Sequence, residues 1–252
     1  MSGRRRLDAE LVRRELAPSR SAALELIEAD RVTVNGAIAA KAARQVAASD
    51  AIEVVGPPAR FVGRGADKLE HALDEFGVDC GGLTVLDAGA STGGFTDSVL
   101  QRGAAHVFAV DVGHGQLHER LRVDERVTNL ERTNIRSVDV DLFGEPVDLV
   151  VGDLSFISLR LVIPALVGVC KPGAPMVLLV KPQFEAGRQE VSKGRGIITD
   201  PAVHERVRGE IETALAAADC TLRGWTTSPI TGADGNIEFL VHAAAPDGSA
   251  RS

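Results

Sequence analysis

The rhythm of hydrophobic and polar positions changes along this chain, and each change marks an element. Leu7, Leu11, Val12 and Leu16 recur at helical spacing over 8–16, and Pro18 ends the run. Ser19 is a good N-cap for a second helix with Ala22, Ala23, Leu26 and Ile27 on one face. After Asp30, alternation replaces the helical period: Val32-Thr-Val is a strand, Asn35-Gly36 a hairpin turn and Ala37-Ile-Ala the return, with a further strand over 50–55. Gly56-Pro-Pro-Ala-Arg then breaks the pattern. Beyond it, a helix over 66–76 buries Leu69, Leu73 and Phe76. Strands at 84–86, 106–111, 127–130, 147–152 and 176–180 follow, interleaved with helices at 95–102 and 158–170; a helix at 201–218 and strands at 221–230 and 236–243 close the chain. Such alternation implies a doubly wound parallel sheet, and the glycine-rich turn before the last strand makes that strand antiparallel. We therefore expect a small α+β domain at 1–56, a linker at 57–65, an α/β domain at 66–245 and a tail at 246–252.

The stretch from Leu83 to Phe95 reads as strand, glycine-rich turn and helix start. Gly89, Gly93 and Gly94 allow a tight turn and a close ligand approach, while the unpaired N–H groups of the helix face the same crevice. A dinucleotide fingerprint requires G-x-G-x-x-G, whereas here the glycines run G-x-x-x-G-G with Asp87 directly before them. Asp111, at the end of the next strand, suits ribose hydroxyls for either ligand. Asp87 would repel a pyrophosphate but favour a sulfonium or ammonium group, which points to S-adenosyl-L-methionine rather than NAD.

Composition narrows the picture. A chain of 252 residues with 44% hydrophobic content can bury a core. Cys80, Cys170 and Cys220 form no C-x-x-C pair and fit a reducing cytoplasm. The longest apolar stretch, 159–170, contains a proline and is too short to span a bilayer, so neither a secretion signal, a membrane helix nor stable membrane association is expected. The net charge of −7 hides an asymmetry: residues 1–60 carry net +2 and the remainder net −9. Arg4, Arg5, Arg6, Arg13, Arg14 and Arg20 concentrate at the front, either as phosphate contacts or as a solvated helix face. His114 and His118 lack the H-E-x-x-H arrangement, so no metal is expected and they are read as edging the cofactor pocket.

Asp87, Asp111, Asp153 and Lys181 all fall at strand C-termini, the edge where open α/β sheets bind ligands. Lys68, in the first turn of its helix, opposes the helix dipole and is either incidental or retained for a reason. Glu238, in the last strand, is either on a solvated face or pointed into a site. The loop over 184–199, with Arg188, Lys193 and Arg195, is either a basic flap or an ordinary surface loop.

Residues 4–55, through Arg6-Leu-Asp, Ser19-Arg-Ser-Ala-Ala-Leu-Glu-Leu-Ile and Val32-Thr-Val-Asn-Gly, resemble an S-four-like RNA-binding domain. Arg64-Gly-Ala-Asp-Lys-Leu, Asp87-Ala-Gly-Ala-Ser-Thr-Gly-Gly-Phe, Asp111-Val-Gly-His-Gly-Gln-Leu, Val151-Gly-Asp-Leu-Ser-Phe-Ile and Lys181-Pro-Gln-Phe-Glu resemble the TlyA family, whose catalytic domain is an FtsJ-like ribose methyltransferase. The resemblance extends to about residue 245. It implies a Rossmann-like class I methyltransferase sheet and 2′-O-methylation of cytidine in ribosomal RNA of one or both ribosomal subunits. It also implies S-adenosyl-L-methionine contacts at Asp87, Gly89, Ala90, Ser91, Thr92, Gly93, Gly94, Phe95, Asp111, Asn134 and Asp153, with RNA contacts at Arg4, Arg5, Arg6, Arg13, Arg14, Arg20 and Arg64.

The implied catalytic set is Lys68, Asp153, Lys181 and Glu238. Lys181 would remove the proton of the attacking hydroxyl, Lys68 would supply a nearby positive charge, and the two acids would hold the ammonium groups. The interdomain Ala59-Arg-Phe-Val departs from the family, which carries an Arg and a Trp there. A non-catalytic ribosome-assembly factor and a membrane-lytic protein are the competing readings. The intact Lys-Asp-Lys-Glu set argues against the first, and the lack of a long or amphipathic apolar stretch against the second.

Overall fold

The computed structural model describes residues 4–17, 20–56, 60–187, 190, 194, 196–232 and 235–248. The chain divides into two compact units, Met1–Arg60 and Phe61–Ser252. The first contains β1 (Arg5–Arg6), α1 (Leu7–Arg13), α2 (Arg20–Glu28), β2 (Val32–Val34), β3 (Ala37–Ile38), β4 (Gln45–Val46) and β5 (Ile52–Val54). β2 lies between β3 and β5 in an antiparallel sheet, and β1 pairs with β4. Asn35 and Gly36 have φ of 55° and 80°, the left-handed pair that a two-residue hairpin requires. Leu7, Leu11, Ile27, Val32 and Val34 form a small core. Two-residue strands have no period to read, which is why β1 and β4 escape the sequence pattern. Pro18 and Ser19, read as a helix stop and a cap, lie outside the described residues.

The second unit contains α3 (Gly65–Phe76), β6 (Thr84–Ala88), α4 (Gly94–Gln101), β7 (His106–Val110), α5 (Glu119–Arg122), β8 (Val127–Leu130), α6 (Val140–Phe143) and β9 (Leu149–Gly152). It continues with α7 (Ile163–Val169), β10 (Pro175–Val180), α8 (Pro182–Glu185), α9 (Pro201–Ala217), β11 (Thr221–Thr227) and β12 (Phe239–Ala244). The sheet order is β11-β12-β10-β9-β6-β7-β8, with β12 antiparallel to both neighbours and every other neighbouring pair parallel. The chain enters at β6, builds outward through β7 and β8, then returns to β9 on the other side of β6. That reversal is a topological switch point, and it opens a crevice at the carboxyl ends of β6 and β9. Successive residues of β6 feed opposite faces: Leu86 packs with Ile163, Leu166 and Ile211, whereas Val85 packs with Leu69, Leu73 and Val99. Both faces are therefore covered, as a continuous apolar strand predicts.

Several boundaries differ from the pattern-based expectation; α1 ends at Arg13 and β11 at Thr227, and four further differences bear on the architecture. The helix expected over 158–170 is a 3₁₀ turn at Leu159–Leu161 followed by α7, because Pro164 can only sit in the first turn of a helix. The last strand starts at Phe239, so Glu238 precedes β12 rather than lying within it. Phe61 is buried and the Val62 N–H donates to Asp97 at 2.8 Å, so 61–64 belongs to the second unit and not to a linker. Pro246 accepts a hydrogen bond from the Gly173 N–H, which attaches the start of the expected tail as well. Residues 57–59 of the expected linker lie outside the described residues.

Candidate active site

Strand register brings the chemistry together. Ala88 pairs with Val110 on one side and Gly152 on the other, and Val180 pairs with Phe239. Gly89, Asp111, Asp153, Lys181 and Glu238 therefore all stand one residue beyond a paired strand position, along one edge of the sheet. Backbone N–H groups of Gly89 and Asp153 donate to Val110 and Ala88, which holds the ends of three strands together.

A cleft of about 580 Å³ opens at the switch point, lined among others by Gly89, Ser91, Asp111, Asn134, Asp153 and Phe156. The Asp111 carboxylate accepts from the backbone N–H groups of Ser91 at 2.8 Å and Gly113 at 2.7 Å, so its orientation is fixed by the loops it joins. Gly89 has φ of 87°, and a Cβ there would stand 2.6 Å from the Asp153 carbonyl oxygen; only glycine lets the two loops meet. Asn134 lines the cleft while its side-chain oxygen accepts from the Arg136 N–H at 3.0 Å.

Part of the remaining glycine turn packs against neighbouring helices. Ala90, Gly93, Gly94 and Phe95 are buried and absent from the cleft lining, because the start of α4 packs on α3 and α5. A Cβ on Gly93 would lie 2.2 Å from Leu121, and one on Gly94 would lie 3.0 Å from the Ala66 nitrogen. Thr92 is exposed, and its carbonyl accepts from the His118 N–H. His114 and His118 do not edge the cleft either. His114 pairs with Glu131 at 2.7 Å, and His118 caps α5 by accepting from the Arg120 N–H at 3.1 Å. Among the described residues, no group of three or more His, Cys, Asp or Glu side chains could hold a metal ion.

Asp87 is fully buried. One carboxylate oxygen accepts from the Thr96 hydroxyl at 2.6 Å, while the other has no partner among the described residues. Burial pushes the carboxyl up to about 7, opposed by Thr96 and reinforced by the nearby charges of Asp153 and Asp111. An under-satisfied acid behind a cleft that two further carboxylates line fits a cationic ligand such as a sulfonium with an ammonium group.

The four candidate catalytic residues form two ion pairs. Lys68 Nζ meets Glu238 Oε2 at 2.5 Å, with both side chains almost wholly buried. This pairing explains a lysine in the first turn of α3 in spite of the helix dipole. Lys181 pairs with Asp153 and donates to Ser155 Oγ at 2.9 Å; these two side chains retain 11% and 23% exposure, so this pair is the open one. Gln183 Nε2 donates to Glu238 Oε1 at 3.4 Å. Each ammonium thus faces its own carboxylate. Thr96, Ser155, Gln183 and Phe156 are members of the site that residue-type reasoning passed over. Their sequence signal is position: Ser155 and Phe156 lie in Val151-Gly-Asp-Leu-Ser-Phe-Ile, Gln183 lies in Lys181-Pro-Gln-Phe-Glu, and Thr96 follows Phe95 at the end of the glycine turn. Phe156 is almost fully exposed at the cleft with φ of 63°, an uncommon backbone state for a bulky residue, and its ring lies 5.1 Å from that of Phe184.

The arginines divide. Arg4 and Arg5 are exposed, and Arg64 is exposed at the start of α3. Arg6 and Arg20 both bind Asp8, and Arg13 and Arg14 both bind Glu10, two carboxylates that are themselves buried. Arg14 also donates to the carbonyls of Ala47, Ala48 and Asp50 and is only 20% exposed, so it is a structural strap rather than the phosphate contact expected. Arg188, Lys193 and Arg195 lie outside the described residues.

An FtsJ-like methyltransferase family model matches residues 61–245, and an S4 domain model matches residues 5–52. The chain is 49% identical over 247 residues to the 16S/23S rRNA (cytidine-2'-O)-methyltransferase TlyA of Mycobacterium tuberculosis, covering 96% of this chain and 90% of that one. The chain belongs to the TlyA family. It is also 40% identical to Hemolysin A of Brachyspira hyodysenteriae, over 94% of this chain and 98% of that one. A solved structure from Streptococcus thermophilus, 39% identical, covers 98% of this TlyA-family chain and 90% of its own with a TM-score of 0.75. The α/β unit is accordingly a Rossmann-like class I methyltransferase domain, and the α+β unit is an S4 domain.

Proposed function

We infer that this TlyA-family chain is an S-adenosyl-L-methionine-dependent methyltransferase acting on ribose 2′-hydroxyls of ribosomal RNA, and we propose cytidines of both ribosomal subunits as its targets. The observation that carries the reading is the shared sheet edge, where a cleft at the switch point meets the Lys68–Glu238 and Asp153–Lys181 pairs. The 16S and 23S specificity in the name of the Mycobacterium tuberculosis relative supports the choice of targets. When bound, S-adenosyl-L-methionine supplies an electrophilic methyl group on a sulfonium centre.

The chain's own residues do the rest. Asp111, fixed by two backbone amides, would hold the cofactor's ribose hydroxyls, Asn134 its adenine side, and Asp87 would answer its positive charge directly or through water. Lys181, the more open of the two lysines, would first release its own proton to solvent and then, as the neutral amine oriented by Asp153 and Ser155, take the proton of the 2′-hydroxyl. Lys68, held by Glu238, would stabilise the developing oxyanion. Arg4, Arg5, Arg6, Arg13 and Arg20, with Arg64 in the second unit, would contact RNA phosphates. The place of action is the cytoplasm, where ribosomal RNA is available.

Mapping 2′-O-methyl marks on ribosomal RNA from cells with and without this protein tests the reading. Cytidine marks in both subunits should vanish with the protein, and an unchanged map overturns it. Within the site, Lys181→Ala and Lys181→Arg should each lose at least ~100-fold in methyl transfer while cofactor and RNA affinities hold, since a guanidinium keeps the charge but cannot accept a proton. An active Lys181→Arg enzyme would reduce Lys181 to a positioning role. A membrane-lytic activity finds no support in the helices, since no described helix is long and apolar enough to cross a membrane. Leakage from liposomes treated with pure protein would contradict that assessment.

A further inference from the structure

Asp8 is an acid in the middle of a basic surface, where simple electrostatics would count it as a defect for binding a polyanion. Its geometry says otherwise. Its side chain is 1% exposed, while Arg6 and Arg20, which cover it, keep 46% and 62% of theirs. Arg6 grips it with two donors, Nε to Oδ1 at 3.1 Å and Nη2 to Oδ2 at 3.0 Å, and Arg20 Nη2 reaches the same Oδ2 at 2.8 Å. The two guanidinium groups arrive from different elements, β1 and the first residue of α2, yet converge on a single oxygen. The acid is anchored in turn. The Ala9 N–H donates to Oδ1 at 2.8 Å, and the Asp8 N–H donates to the Ala42 carbonyl at 3.3 Å. What faces solvent is therefore a pair of fixed, outward cations with a hidden counter-charge. The arginines hold the Asp8 carboxyl far below the usual carboxylate range, so the anchor stays ionised wherever ribosomal RNA is handled.

Resting on the reading that the S4 unit binds ribosomal RNA, we propose that Asp8 is a positioning residue that holds Arg6 and Arg20 as a two-pronged fork for an RNA phosphate. Free arginine side chains lose considerable rotamer entropy when they bind a phosphate; a pair already ordered by Asp8 loses less. Each guanidinium has five N–H donors. Arg6 spends two on Asp8 and Arg20 one, which leaves N–H groups of both for a bridging phosphate. The Glu10 cluster serves as an internal contrast. It also pairs a buried acid with two arginines, but Arg14 is turned inward onto three backbone carbonyls, so that cluster fastens the loop at 47–50 rather than presenting a fork.

The test measures binding of the full-length chain to in vitro transcribed 23S ribosomal RNA as a function of salt, using Asp8→Asn, Asp8→Glu and Arg20→Ala. Asp8→Asn makes the surface more positive, so a purely electrostatic surface would bind tighter. The fork requires weaker binding, by about 10-fold, with cofactor affinity unchanged. Asp8→Glu keeps the charge and a partner for both arginines but moves the anchor by one methylene; it should lose several-fold and serves as the well-folded variant. Arg20→Ala should reduce the salt slope by about one, and adding Asp8→Asn to it should cost less than 3-fold more, because the fork is already broken. Tighter or unchanged binding by both Asp8 variants, or losses that simply multiply in the double variant, overturns the proposal. If the unsubstituted chain shows no salt-sensitive RNA binding, the RNA-binding reading itself fails, which is a different result.

Discussion

Two buried carboxylates of the S4 unit and one of the methyltransferase unit have opposite surroundings. In the S4 unit, Asp8 and Glu10 are each covered by two guanidinium groups, which hold Asp8 far below the usual carboxylate range and Glu10 down at about 2. In the methyltransferase unit, Asp87 lies far deeper, accepts from Thr96, has one side-chain oxygen without a partner among the described residues and has acidic neighbours; burial above all raises its carboxyl to about 7. The first unit spends its cations on its own acids and shows the surplus to solvent. The second leaves an acid under-satisfied beside a cleft, and that imbalance is what a cationic ligand would relieve. Buried charge alone is therefore no guide to function; the guide is whether its counter-charge comes from the chain.

The contrast can be broken at several points. The largest effect should come from the satisfied pair of the second unit. Lys68→Met strands Glu238 in the interior and should cost about 3–5 kcal/mol in urea unfolding at neutral pH, with much of it recovered in Lys68→Met/Glu238→Leu. A loss near zero would mean that Glu238 is reached by water and that the pair is not a buried one.

Asp87 should show the reverse sign. In the cofactor-free protein the unfolded chain loses this proton near the ordinary carboxylate value of about 4, while the folded chain keeps it up to about 7, so stability falls as pH rises through that window. Asp87→Asn, which can still accept from Thr96, should flatten this decline and add about 2–4 kcal/mol above neutral pH while weakening S-adenosyl-L-methionine binding. A variant less stable than the parent at alkaline pH would show that Asp87 is already satisfied in the free protein.

Asp111→Ala should weaken S-adenosyl-L-methionine by about 1–3 kcal/mol in calorimetry, since charge-assisted hydrogen bonds to the ribose disappear and the Ser91 and Gly113 amides lose their acceptor. Unchanged affinity would remove Asp111 from the cofactor site. The smallest effect belongs to the S4 unit. Glu10→Gln should cost about 1 kcal/mol, because its arginines are partly exposed. Because Glu10 titrates below its unfolded value, its contribution is full above about pH 4 and is lost as pH falls toward about 2. An acid limb unchanged in Glu10→Gln would assign acid sensitivity to Asp8 and other groups.

Much of the fold was legible in the residues themselves. The apolar runs of β6, β7, β9 and β10 and the Asn35-Gly36 turn mark their elements because strand burial and left-handed turns each restrict residue type. The glycine turn was legible as a turn, but not the packing that also demands its glycines. Gly93 and Gly94 look like ligand-facing glycines, yet they are demanded by the packing of α4 on α5 and α3, a requirement set by helices distant in sequence. Likewise Arg14 is indistinguishable in sequence from Arg13, and only the fold turns it onto the carbonyls at 47–50.

The sequence by itself determined the order of the elements, the division into a basic front and an acidic remainder, and the set of residues capable of chemistry at strand ends. Those follow from local sterics, period and charge, which need no knowledge of neighbours. The tertiary structure alone decided which charge meets which: Lys68 with Glu238 across 170 residues, Lys181 with Asp153, and Asp87 with no cation among the described residues. Pairing depends on strand order and register, which are set by the packing of the whole sheet, and a change in either would leave every residue the same while exchanging all its partners.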